Sequence, residues 1–63
     1  MRRASPEGYI IEIIRIGAFA KATAVDPDTG IEVSVSGPSQ GADAMLTRTA
    51  VRRLEQRLKG LKA

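Results

Sequence analysis

The first regular pattern along the chain begins at residue 9. Residues 9–16, YIIEIIRI, are β-branched or aromatic except at Glu12 and Arg15, a composition that suits a pleated, half-buried strand. Gly17-Ala18 follows, and glycine first of two central residues is what a type II′ hairpin turn requires. Residues 19–25, FAKATAV, supply a second strand and DPDTG at 26–30 a second turn. In that turn Pro27 presets φ and Gly30 is free to adopt positive φ. Residues 31–36, IEVSVS, alternate apolar and polar, which marks a strand with one buried face. Gly37-Pro38 ends it. From Ser39 to about Leu61 the apolar period becomes helical, with Leu46, Ala50, Leu54, Leu58 and Leu61 on one stripe and Val51 at its edge. Ser39 is a plausible N-cap, but Gln40-Gly41 makes a weak first turn, so a start nearer Asp43 is the alternative. Asp43 suits the positive end of such a helix, and Lys59 and Lys62 the negative end.

The two turns fix a joint register. Asp26 opposite Ile31 places Ala24 against Val33 and Ala22 against Val35. Ile16 opposite Phe19 places Ile13 against Ala22 and Ile11 against Ala24. Both pairings yield one apolar face: Ile11, Ile13, Ala20, Ala22, Ala24, Ile31, Val33 and Val35. A slip of one residue would scramble it. The alanines fall on the central strand, where a helix can approach closely. The expected fold class is therefore α+β: a three-stranded antiparallel sheet in the order β-β-β-α, with one C-terminal helix packed on one face. Residues 1–8, MRRASPEG, offer little apolar surface and read as a flexible, solvated tail. Residues 9–63 then form the single domain.

Length and composition narrow the functions open to this fold. A chain of 63 residues buries only about 60% of the surface its unfolded form exposes. That is too little for a large enzyme with its own cofactor pocket, and no cofactor is expected. With no His and no Cys, the usual general base and metal ligands are missing, so neither catalysis nor a metal site is expected. Ser34, Ser36 and Ser39 have no base to activate them. No apolar run approaches the roughly 20 residues of a membrane span. Glu12 and Arg15 interrupt what would have to be the apolar core of a secretory signal behind Arg2 and Arg3.

Three local patterns carry a trace of chemistry. Glu12 and Glu32 fall on one sheet face, two strands apart, and read as solvated carboxylates. Asp26-Pro27-Asp28-Thr29-Gly30 has the D-x-D spacing of a calcium loop but is too short for one, so it reads as a hairpin turn. Ser36 to Gly41 precedes a helix start but lacks the lysine and spacing of a phosphate-binding loop, so it reads as a connector.

Charge distribution is more informative. The net charge is +3. Residues 39–63 carry Arg48, Arg52, Arg53, Arg57, Lys59 and Lys62 against Asp43 and Glu55, a net +4, whereas the middle of the chain is acidic. Arg48, Arg52, Lys59 and Lys62 lie opposite the leucine stripe, a pattern that can bind phosphates without regard to sequence. Few aromatics accompany them to stack bases, since the chain has only Tyr9 and Phe19. A solvated helix face is the simpler reading, with an acidic protein or nucleic acid as the alternative partner. The other signal is on the sheet. Ile10, Ile14, Ile16, Phe19 and Val25 share the face away from the helix, and one helix does not cover two faces. An apolar patch rimmed by polar groups marks an interaction surface, and a second copy in a two-fold dimer is the expected partner.

Arg15-Ile16-Gly17, Lys21 to Asp26 and Thr29 to Pro38, with the helix segment Ala50 to Glu55, together resemble a family of short bacterial proteins of unknown function. The likeness spans roughly residues 9–58. It implies the β-β-β-α layout and a cytoplasmic setting, and it assigns no site. The same core is similar to that of double-stranded-RNA-binding domains, although the first helix of those domains has no counterpart here. Asp43 and Ala44 also stand where those domains carry lysines. The function expected is that of a non-enzymatic, homo-oligomeric interaction module, with weak sequence-independent nucleic-acid binding as the alternative.

Overall fold

The sheet has four antiparallel strands where three were expected. The computed structural model describes residues 2–62 and runs β1 (Arg2–Ala4), β2 (Ile10–Ile16), β3 (Phe19–Val25), β4 (Glu32–Pro38) and α1 (Asp43–Lys62). The strands lie in chain order, β1-β2-β3-β4. The additional strand, β1, comes from the stretch expected to be a tail. Arg2 pairs with Glu12, Arg3 with Ile11 and Ala4 with Ile10. All three β1 side chains are exposed, so no apolar alternation announced the strand. The signal was in the turn. Ser5-Pro6-Glu7-Gly8 places proline second and glycine fourth, a type I arrangement, and Gly8 N–H donates to the Ser5 carbonyl at 2.9 Å. Ser5 Oγ then accepts from the Tyr9 N–H at 3.0 Å. This is the same logic as Asp26-Pro27-Asp28-Thr29-Gly30, applied two hairpins earlier.

The remaining register is the one that the turns dictated. Ile11 pairs with Ala24, Ile13 with Ala22 and Ile16 with Phe19. Ala22 pairs with Val35, Thr23 with Ser34 and Ala24 with Val33. Gly17 has φ +58° while Ala18 does not have positive φ, as a type II′ turn requires. In the next hairpin the Asp26 carboxylate, which is buried, accepts the Asp28 N–H at 3.1 Å and the Thr29 hydroxyl at 3.0 Å.

Strand β4 runs two residues past the expected end, through Gly37 and Pro38. It is an edge strand, where proline costs no ladder hydrogen bond if its nitrogen faces outward. Gly37 is needed there for space. A Cβ at this position would lie 2.8 Å from a Leu46 methyl. The helix starts at Asp43 rather than Ser39, and the Leu46 N–H donates to the Ala42 carbonyl at 2.8 Å as the first helical bond. Ser39 is not a cap, because it lies four residues before the helix start; its N–H donates to the Ala18 carbonyl. Asp43 instead pairs with Arg15 on β2.

The helix packs across β3 and β4. Ile11, Ile13, Ala20, Ala22, Ala24, Ala42, Leu46, Ala50 and Leu54 are buried, with Tyr9, Ile31, Val33, Val35, Val51 and Leu58 packed around them. Leu61, expected on the core stripe, is 63% exposed. Twenty helical residues span about 30 Å, whereas seven strand residues span about 23 Å. The last turn therefore overhangs the sheet.

Ala22 is fully buried, and Thr23 beside it points to the opposite face, hydrogen-bonded to Ser34 Oγ at 2.8 Å. Ala22→Asp should cost about 3 kcal/mol or more through a buried, unpaired carboxylate, and Thr23→Asp about 1 kcal/mol or less. Thermal melts of the two variants check the register, and equal losses would contradict it.

Candidate functional site

Two surfaces bring the sequence-derived candidates together. The first is the sheet face opposite α1. Pleating puts Ile10, Glu12, Ile14 and Ile16 of β2 on it, with Phe19, Lys21, Thr23 and Val25 of β3 and Glu32, Ser34 and Ser36 of β4. No described element covers it. The five apolar candidates split into two groups. Ile14 (41% exposed), Ile16 (74%) and Phe19 (68%) cluster at the β2–β3 hairpin end, and together with Lys21 and Ser36 they line one shallow concavity. Ile10 and Val25 are half-buried and lie toward the other end, beside Arg2, Glu12 and Glu32. Charged residues therefore sit at one end of the face and the bare apolar side chains at the other. Glu12 and Glu32, considered as a carboxylate pair, share their concavity with the cations Arg2 and Lys21.

The second surface lies on the flank of α1. Of the four cations considered for polyanion binding, Arg48 and Arg52 line a cleft between the helix, β1 and the Ser5–Gly8 turn. Lys59 is exposed and does not line it, and the side chain of Lys62 lies outside the described residues. Arg3 joins Arg48 and Arg52 in the cleft from β1, its guanidinium 3.4 Å from Thr47 Oγ1. The sequence reading missed Arg3 because it missed β1. The turn glycine and proline were the only signal available for it.

The remaining candidate motifs have structural partners. Both oxygens of Asp26 are used within its turn, and residues 39–42 connect β4 to α1. Among the described residues, no group of acidic residues is placed to hold a metal ion. No described helix is long and apolar enough to cross a membrane.

One family profile matches residues 6–61, that of a domain of unknown function, DUF6898. The chain belongs to the DUF6898 family. The match covers both β2–β4 hairpins and all but the end of α1, and it begins at the Ser5–Gly8 turn, so β1 lies outside it. No curated protein and no solved structure matches the chain. The family therefore supports the expectation of a protein family without an assigned function, and the site has to be argued from its own chemistry.

Tyr9 offers a direct check on how the turns and the helix come together. Its ring is half-buried against the core. Burial raises its phenol pKa above 10.0, and the charges of Glu55, Asp26 and Glu7, from three separate segments, raise it further. It is the only tyrosine and there is no tryptophan, so absorbance titration reports it alone. The midpoint should lie above 10.0, and Glu55→Gln should lower it. Because the fold disfavours the phenolate, this contribution to stability is complete below the unfolded-state pKa. It is lost as pH rises through the folded-state value. A midpoint insensitive to Glu55→Gln would contradict the packing of the helix against this corner.

Proposed function

We propose that the protein is a non-enzymatic interaction module that works as a homo-oligomer, a two-fold dimer joined through the open face of its sheet. The observation that carries this reading is the cluster of Ile14, Ile16 and Phe19, exposed together on a face that no described element covers. Single exposed apolar residues are ordinary on a small domain, but three contiguous ones on a flat sheet mark a contact surface.

The charges on that face favour a second copy as the occupant. Arg2 and Lys21 are balanced by Glu12 and Glu32, so the surface is electrically neutral. In a two-fold interface the same patch meets itself, and a neutral patch with both signs does so without net repulsion. The outward flank of α1, with Arg48, Arg52 and Lys59 against Glu55, would repel its own copy. Thr23 and Ser34 already satisfy each other by a hydrogen bond across the strands, which lowers the cost of drying the centre of the face. Association also supplies the extra apolar burial that short chains otherwise lack.

Sedimentation at micromolar concentration should show a dimer, and Ile14→Lys should return it to monomer with the helical circular dichroism unchanged. A monomeric wild-type protein would overturn the proposal. A variant that still dimerises would move the interface off this face.

A further inference from the structure

The cleft beside α1 has the features of a second, separate site. It lies between β1, the Ser5–Gly8 turn and the first half of the helix, with a volume of about 500 Å³, within the range of small-molecule sites. Arg3 reaches it from β1 and Arg48 and Arg52 from successive turns of α1. Placing two like charges one turn apart on a helix is unfavourable in itself, and adding a third from another element increases the repulsion.

The cations are not neutralised within the described residues. Arg48 and Arg52 make no hydrogen bond or ion pair there, and Arg3 has only its long, 3.4 Å bond to the Thr47 hydroxyl. Arg15, by contrast, is paired with Asp43. Glu7 and Glu55 line the same cleft without engaging the arginines. Val51 and Pro6 add apolar lining to the cleft.

We propose that this cleft binds a small phosphate monoester. A guanidinium presents paired N–H donors that match phosphate oxygens. A phosphate dianion has three free oxygens for three such forks, one more than a carboxylate offers. Val51 and Pro6 suit a compact organic body attached to the phosphate. Glu7 and Glu55 make the site selective. They accept hydrogen bonds from hydroxyl or amine groups of that body, and they repel a second phosphate, which disfavours a nucleic-acid backbone.

The test is amide NMR on the full chain titrated with phenyl phosphate, with inorganic phosphate and a mixed-sequence oligonucleotide as comparisons. Phenyl phosphate should give saturable shifts centred on Arg3, Thr47, Arg48 and Val51, at lower concentration than inorganic phosphate. Arg48→Ala combined with Arg52→Ala should weaken binding about tenfold or more, the loss of two charge-assisted contacts, with the rest of the spectrum retained. Arg57→Ala, whose side chain does not line the cleft, should leave binding unchanged, as should the sheet-face change Ile14→Lys. Absence of saturable shifts would overturn the proposal. So would equal weakening by Arg57→Ala, which would show diffuse attraction to the helix. Tighter binding of the oligonucleotide, sensitive to Lys59→Ala, would replace it with a nucleic-acid surface.

Discussion

The close approach of α1 to an alanine-floored groove is the constraint on which the rest of the structure depends. Across the sheet, Ile11, Ala24 and Val33 form one row and Ile13, Ala22 and Val35 the next. Each row is tall on β2, short on β3 and tall again on β4. The helix lies along the short middle, where Ala50 and Leu54 reach full burial. In the third row, Arg15, Ala20 and Gly37, the profile changes. The outer wall falls away at Gly37, and Leu46 occupies the space. The opposite wall becomes Arg15, which reaches over to Asp43 at the helix start. Shape holds the helix along two rows, and at the third the packing of Leu46 on Gly37 is joined by the Arg15–Asp43 ion pair.

A single seat for a single helix also decides what is left over. The sheet has two faces and the described residues supply one helix to cover them. On the far side Ile14, Ile16 and Phe19, strand-forming and apolar alike, are left bare. On the near side, the helix is as wide as the groove but not as wide as the sheet. Its flank toward β1 is left standing beside a strand that contributes only exposed side chains, and the cleft results.

How much of this was legible follows from the length of each pattern. The pairings of β2 with β3 and of β3 with β4 were readable because seven-residue strands give several alternations, and two turns with distinct chemistry had to agree on one face. The core alanines followed from that agreement. β1 was not readable by the same means, since three residues do not establish a period and Arg2-Arg3-Ala4 has no apolar face to declare. Only Pro6 and Gly8 pointed to it. The loss propagated to the candidate site. Helical spacing placed Arg48 and Arg52 on one flank, but the cleft exists only because β1 folds back and sets Arg3 opposite them. Leu61 was misplaced for a different reason. Helical periodicity reports which side of a helix a residue occupies, not whether the sheet is still beneath it.

The strand order has a kinetic consequence. Every strand pairs with its neighbour in sequence, through connections of two to six residues, so no segment has to wait for a distant one before it gains hydrogen bonds. Loop-closure entropy is small at each step, and topology of this local kind is associated with rapid folding. The helix alone must return over a longer stretch of chain, across the β3–β4 hairpin. The connector that brings it back is only residues 39–42, so α1 is delivered to the groove as β4 zips onto β3. Docking the helix and completing the sheet are thereby coupled into one event, which favours all-or-none assembly in a chain too small to keep a partly formed core.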